Sequence, residues 1–378
     1  MGLVALALYV HWPWCVHKCP YCDFNSRGGL FRINESRYIA ALLADLSQVA
    51  HTVSRPVTSV FFGGGTPSLM TSEGFDALMR GIGERVDLAH DAEITLEANP
   101  GTVTEEKLAA FARSGVTRLS LGVQSFNEAS LSFLGRIHTA CQAREAVTWA
   151  KNTFAHVNID MMYALSGQTQ ADLRADAEEA VSFNTDHLSY YELTIEPGSV
   201  FFKRPPENLP DADTAGDMAE CIQTITRKAG FDHYEVSAYA KAGSRCRHNM
   251  TYWTYGDYLA IGAGAHAKIT TPDGAIFREV RAKSPARYMT DVKNGTFVQR
   301  RRRVRPEEIP FEFMLNVLRL REGVAKERWE EATGLPYALI APKVASLQRE
   351  GLMEKTDRLA ATALGRRFLN TLQERFLP

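Results

Sequence analysis

Three cysteines, Cys15, Cys19 and Cys22, fall within eight residues in the stretch Cys-Val-His-Lys-Cys-Pro-Tyr-Cys. Thiolates this close together can hold a soft metal ion or an iron–sulfur cluster. A [4Fe–4S] cube has four irons, so three cysteines leave one iron open to a small chelating molecule. The rival reading is a Cys3His zinc site completed by His11 or His17, although the third cysteine follows too closely for a tetrahedral knuckle. Inert thiols are the bland alternative. Cys141, Cys221 and Cys246 are scattered, and the first two fall in helical patterns that read as core positions. Six cysteines in 378 residues do not form a disulfide scaffold.

A second cluster of chemistry-bearing residues is Gly63-Gly64-Gly65-Thr66-Pro67-Ser68, directly after the apolar run Val57–Phe62. Glycines there would let backbone groups reach a ligand that a Cβ would block, but alone such a run is usually a tight turn. It lacks the dinucleotide GxGxxG spacing. Polar residues also close or follow apolar runs: Glu97, Gln124 and Asp160, with Arg136 a little beyond. Arg136 could pair with a carboxylate, and Asp160 could hold hydroxyls or an ammonium. Each alone reads equally well as a strand-end hydrogen-bonding residue.

The elements that must position these residues alternate. Apolar runs at Ala5–Val10, Val57–Phe62, Glu93–Glu97, Val116–Val123, Val157–Met162 and His187–Leu193 predict strands. Helical patterns lie between them, near Glu35–Ala50, Ser72–Val86, Thr104–Ser114, Ala140–Thr153 and Gln170–Ser182, with Ser72 and Thr104 as N-caps and Gly115 as a helix end. Six strand–helix units predict a parallel α/β sheet, fewer than a closed eightfold barrel. A doubly wound sheet fits the alternation equally well. Polar residues at the carboxyl ends of strands favour a partial TIM-like (β/α)6 barrel. The division expected is a barrel over 1–240, a connecting segment over 241–305, and a smaller α+β, winged-helix-like domain over 306–378. Helical patterns at Phe311–Arg321, Ala325–Thr333 and Ala338–Glu350, then a hairpin at Gly351–Ala361, make up that last part. Prolines 205, 206 and 210 precede a helix near Thr214–Ala229.

Lys plus Arg total 43 against 44 Asp plus Glu, so bulk charge argues against a nucleic-acid partner. The apolar start Leu3–Val10 has neither the basic flank nor the cleavage site of a signal peptide, and Leu6 stands where a myristoylation signal beginning at Gly2 needs Ser or Thr. No stretch approaches a membrane span. The expected location is the cytoplasm. Arg300–Arg303 and Arg305 form the one basic run, either a solvated face or a patch for propionates, anionic lipid or an acidic partner.

Taken in order, Tyr9-Val-His-Trp-Pro-Trp-Cys15, Cys22-Asp-Phe-Asn, the glycine run, Leu-Glu97-Ala-Asn-Pro-Gly, Gly-Val-Gln124-Ser-Phe, Leu-Gly-Arg136-Ile-His and Asn-Ile-Asp160-Met-Met resemble the radical S-adenosylmethionine superfamily, in the form carried by the HemN and HemW group. The resemblance implies a [4Fe–4S] cluster on Cys15, Cys19 and Cys22, with S-adenosylmethionine chelating the fourth iron. It assigns cofactor contacts to Tyr9, Tyr21 (near adenine), Gly64, Gly65 and Thr66 (near the methionyl amino group), Glu97, Gln124, Arg136 and Asp160. Oxygen-independent coproporphyrinogen oxidases of this group carry a fourth cysteine, where this chain has Phe24, and an N-terminal extension, where only eight residues precede Tyr9. Both departures point to the branch described as haem-binding chaperones.

His248-Asn-Met-Thr-Tyr252-Trp253 matches that branch's HNxxYW pattern. A histidine beside two aromatics could ligate haem iron, though chemistry alone favours a core histidine. His266, in Gly-Ala-Gly-Ala-His, is a second candidate. The function expected from the resemblance is haem binding and transfer to an acceptor, such as a membrane-bound respiratory protein, with flavodoxin or ferredoxin as reductant. A coproporphyrinogen oxidase and a nucleic-acid-modifying radical enzyme are the alternatives.

Overall fold

A computed structural model describes residues 5–29, 34–51 and 55–378; Gly2 and Leu3 lie outside them. Strands β1 (Leu6–Trp12), β2 (Val57–Gly64), β3 (Leu88–Ala98), β4 (Arg118–Gln124), β5 (His156–Tyr163) and β6 (His187–Glu192) pair in parallel in that order. The helices that follow them are Glu35–Ala50, Ser72–Gly83, Glu105–Arg113, Ala140–Thr153, Gln170–Ser182 and Ala212–Lys228. Their starts are chemically marked. Thr139 and Thr169 build capping boxes with Gln142 and Asp172, and Thr104 accepts from the Lys107 amide. Thr71 caps the second helix by accepting from Gly74, so the expected cap Ser72 is instead the first helical residue. Gly115, at φ +102°, turns the chain out of the third helix into β4, a conformation that favours glycine.

The sheet grows beyond the six units on both sides. Beyond β6 lie β7 (Asp232–His233) and β8 (Ala238–Ala240): β8 pairs antiparallel with β6, and β7 antiparallel with β8 at the edge. Next to β1 comes β9 (Asp257–Ile261), parallel to it, then antiparallel β10 (His266–Thr270), β11 (Ile276–Arg281) and β12 (Val298–Arg303). The order is β12-β11-β10-β9-β1-β2-β3-β4-β5-β6-β8-β7, and among the described residues the two edge strands do not pair. The fold is therefore an open α/β partial barrel. The Arg300–Arg303 run is its charged edge. Arg301 stacks on Phe277 with 4.3 Å from guanidinium to ring centre, and Arg302 bridges Glu308 and Glu312. Such an edge discourages pairing with another chain.

Strand alternation separates two surfaces. Leu119, Leu121 and Val123 on β4, Val157, Ile159 and Met161 on β5, and Leu188 and Tyr190 on β6 are buried in the apolar core. Burial of such side chains stabilises by about 1.5–3 kcal/mol each. Their neighbours, Arg118, Ser120, Gly122 and Gln124, then Asn158 and Asp160, then His187, Ser189 and Tyr191, line a cavity. A second core joins Phe313, Trp329, Val344, Leu347 and Phe376 from the C-terminal helices Ile309–Val317, Glu327–Thr333 and Ala341–Arg349 and the chain end. Val324–Ala325 pairs with Arg358–Leu359, and Met353 bridges Ala361, which supplies the expected wing. Cys141, read from the sequence as core, is exposed, because Ala140, Ala143, Ala146, Val147 and Ala150 take the buried face of its helix; Cys221 is half-buried. Among the described residues no helix is long and apolar enough to cross a membrane.

Candidate functional site

β1 delivers the chain into the cysteine loop, where Trp14–Cys15 pairs with Arg27–Gly28 and closes residues 15–28 into a compact excursion. Asn25 pins it: its side-chain amide donates to the Ala263 and Lys283 carbonyls, both at 2.9 Å, while its own carbonyl lies 3.0 Å from His11 Nε2. The other ring nitrogen of His11 faces the Tyr9 hydroxyl at 3.0 Å. His11 is thereby occupied within the fold, which weighs against its completing a zinc site.

The glycine run lies against this loop. Gly64 has φ +108° and a Cβ there would come within 2.3 Å of the His11 ring; a Cβ on Gly65 would meet the Trp14 carbonyl at 2.6 Å. The sequence suggested that these glycines admit a ligand, but the closest approaches are to the chain itself. Their amides are likewise committed, Gly64 to Glu97 Oε2, Gly65 to the Trp12 carbonyl, and Thr66 to the Trp14 carbonyl. What the run achieves is to bring strand β2 under the cysteine loop.

A cavity of about 750 Å³ opens at the carboxyl ends of the strands, the end where barrel enzymes keep their chemistry. Cys15, Cys19, Tyr21, Cys22, Gly64, Gly65, Thr66, Glu97, Gln124, Arg136 and Asp160 all line it. Eleven of the residues singled out in the sequence therefore share one cavity. Tyr9 and His266 lie instead on an adjoining groove, which shares Lys18, Asp23, Phe24, Ser26, Gly64 and Glu97 with the cavity. His248 lines neither. It is 1% exposed, with Nδ1 3.1 Å from the Ser59 hydroxyl and Nε2 2.7 Å from Tyr252. Burial pushes its imidazole down to about 3.

The electrostatics suit a ligand that carries both charges. Burial, then the nearby Asp160, pushes Glu97 up to about 8. Burial also raises Asp160, against the Ser120 and Asn158 donors at 2.9 and 2.8 Å. Two carboxylates facing one cavity favour a bound cation. Arg136 supplies the opposite charge. Its guanidinium donates to the Gly122 carbonyl at 2.7 Å and reaches Cys19 Sγ at 3.4 Å and the Tyr21 hydroxyl at 3.3 Å. Its Nε is buried with no partner among the described residues, as is Thr95 Oγ1 on the cavity wall. Buried polar atoms without partners are costly and point to a missing ligand or solvent. Gln124 adopts φ +73° at the bulge between β4 and β5, a conformation unusual for a non-glycine and common at functional sites.

The thiols fit a cluster. Burial raises Cys15 and Cys22, so both favour the protonated form until a metal replaces the proton. Among the described residues no three His, Cys, Asp or Glu side chains gather around a single ion. A cube does not require that, since each thiolate caps a different iron. Sequence reasoning missed the inner wall, Ser120, Asn158, His187 and Ser189, where His187 reaches Asn158 at 2.7 Å and Tyr234 at 2.9 Å. Polar residues at alternate positions of these three strands share one wall only once the sheet is formed, so no single strand announces them.

The comparisons decide the family. Residues 9–180 match the radical SAM superfamily and residues 304–368 match the HemN C-terminal domain. The heme chaperone HemW of Haemophilus influenzae is 42% identical over 99% of this chain and 98% of its own length; that of Escherichia coli K12 is 42% identical over 99% of each. The chain belongs to the HemW family. The chain is also similar to the mitochondrial radical S-adenosyl methionine domain-containing protein 1 of Mus musculus, 36% identical over 86% of this chain and 75% of that one. The solved coproporphyrinogen III oxidase HemN of Escherichia coli superposes with a TM-score of 0.83 at 21% identity, over 99% of this chain and 90% of that one, which establishes a shared fold. Membership of the radical SAM superfamily implies a [4Fe–4S] cluster and S-adenosylmethionine.

Proposed function

We propose that this chain is a haem chaperone: it binds haem and passes it to an acceptor protein, using a protein that also carries a [4Fe–4S] cluster and S-adenosylmethionine. The observation that carries this reading is 42% identity over essentially the whole length to two proteins named heme chaperone HemW. Cys15, Cys19 and Cys22 would hold three irons, leaving the fourth for the methionyl amino and carboxylate groups. Arg136 is suited to that carboxylate, Glu97 and Asp160 to the ammonium and ribose hydroxyls, and Tyr21, Thr66 and Gln124 to the remaining wall. When bound and reduced, the cluster supplies one electron to S-adenosylmethionine. The residues of the chain bind, orient and exclude water. We assign the strand–helix units to 1–240 and the winged-helix-like domain to 306–378; the segment 241–305, expected to be a connection, carries β9–β12 and extends the same sheet. Action in the cytoplasm, a membrane-bound respiratory protein as acceptor, and a flavodoxin or ferredoxin as reductant complete the proposal.

Phe24, where the oxidases of the group carry a fourth cysteine, favours delivery over porphyrin oxidation. The test is anaerobic reconstitution followed by haem titration. About four irons per chain should bind, and be lost on replacing Cys15, Cys19 or Cys22 by Ala but not Cys141. Haem should give a saturable Soret band, and coproporphyrinogen III should not be turned over. Sustained release of carbon dioxide from that substrate would restore the oxidase reading.

A further inference from the structure

We infer that haem sits in the groove beside the cysteine loop, with His266 as its iron ligand; this rests on the haem-binding reading above. The groove measures about 830 Å³, within the range of small-molecule sites. Tyr252, Trp253 and Tyr258 supply an aromatic wall on one side, with Tyr252 edge-on to the other two rings. Phe24, 60% exposed, stands on the groove from the cysteine loop, a large apolar ring that a porphyrin face would cover. Of the two candidate histidines, only His266 faces this groove. It is exposed, and its side chain makes no hydrogen bond among the described residues. Partial burial, then the nearby Lys283 and Arg278, lowers its imidazole and so favours the neutral form that binds iron. His248 would first have to give up both Ser59 and Tyr252 and leave its packing against Phe61.

Charge completes the match. Haem carries two propionates, and Lys18, Arg27 and Lys283 line the same groove. Arg27 and Lys283 have no carboxylate partner among the described residues, while Lys18 donates to the Phe24 carbonyl at 2.8 Å. The acids on the groove are Asp23, on the loop, and Glu97, on β3; both, like Lys18 and Phe24, also line the cluster cavity. Asn25 ties the loop bearing Lys18, Phe24 and Arg27 to the segments bearing His266 and Lys283, so the two sides form one seat.

The full chain, reconstituted with iron and sulfide, should be titrated with haem and followed by Soret absorbance and electron paramagnetic resonance. His266→Ala should weaken haem binding by roughly tenfold or more and change the spin state, and free imidazole should restore the wild-type spectrum. Arg27→Ala with Lys283→Ala should weaken haem binding but leave binding of haem dimethyl ester unchanged, because the ester masks the propionates. His248→Gln, which can still hydrogen bond to Ser59 and Tyr252, should keep the wild-type spectrum. Wild-type affinity and spectrum in His266→Ala, or loss of haem only in His248→Gln, would overturn this seat. A wild-type protein that takes up no haem at all overturns the haem-binding reading itself.

Discussion

Glu97 shows how a single residue reports on an incomplete site. Its carboxyl is raised from 4.5 to about 8 by burial and by Asp160. The protonated group is therefore favoured in the folded, ligand-free protein. Its contribution to stability is fully present below about pH 4.5 and is lost as pH rises through about 8. Glu97→Gln removes the titration but keeps the shape and the acceptor for Gly64. The difference in thermal midpoint, variant minus wild type, should be flat at acid pH and grow in the variant's favour as pH rises toward about 9. Differential scanning calorimetry of metal-free protein across that range checks this, and a flat difference throughout would show that Glu97 is ionised already. Glu97 was legible in the sequence because it ends a hydrophobic run, and Asp160, which lies inside one, because Asn-Ile-Asp160-Met-Met matches a family motif. Ser120, Asn158 and Ser189 were not, because single polar residues inside an apolar strand carry little signal until the sheet curls and makes their side one wall.

At the scale of elements, the six strand–helix units were readable because buried parallel strands and capped amphipathic helices leave strong periodic patterns. Strands β10 to β12 were hidden, since Lys268, Glu279, Arg281 and the Arg300–Arg303 run break the apolar alternation. Lys268 and Arg281 are nevertheless buried, each paired with an aspartate, Asp257 at 2.9 Å and Asp45 at 3.3 Å. A sequence does not announce such pairs: Asp45 lies 236 residues from Arg281, and Asp257 meets Lys268 only through the pairing of β9 with β10. The glycine run was legible as a turn, but not what it approaches. Gly64→Ala, with its Cβ against His11 and a left-handed φ, should destabilise the protein by roughly 1–3 kcal/mol, seen as a lower urea midpoint. Asn25→Ala tests the tether differently. It leaves the cysteines untouched, so iron uptake should persist, while amide hydrogen exchange over residues 15–29 and 262–265 should accelerate. Unchanged protection in both segments would mean that the Trp14–Cys15 and Arg27–Gly28 pairing alone holds the loop.

For the whole molecule, the question is what couples the C-terminal helices to the sheet. Glu312, on the helix Ile309–Val317, accepts from Arg278 of β11 at 2.8 Å, from Arg302 of β12 at 3.2 Å and from the Tyr255 hydroxyl at 3.0 Å. Tyr255 also packs on Phe313, with ring centres 5.5 Å apart, so the polar cluster sits over a shared apolar contact. Nearby, Arg319 lies over the Trp253 ring at 4.4 Å and lines the cluster cavity, which gives the C-terminal part a residue in the barrel interior. Two units joined through both a common core and a common carboxylate should unfold together. Glu312→Gln keeps an acceptor but loses the charge; Glu312→Ala loses both, leaving Arg278 with the Tyr258 hydroxyl and no carboxylate, while Arg302 keeps Glu308. Stability should fall in the order wild type, Glu312→Gln, Glu312→Ala, with the last losing about 1–3 kcal/mol, less than for a fully buried pair because Arg278 retains contact with water. Urea denaturation followed by tryptophan fluorescence and by circular dichroism should give coincident transitions for all three proteins. Transitions that separate in Glu312→Ala would show that this one carboxylate, rather than the Tyr255–Phe313 contact, makes the barrel and the C-terminal helices a single cooperative unit.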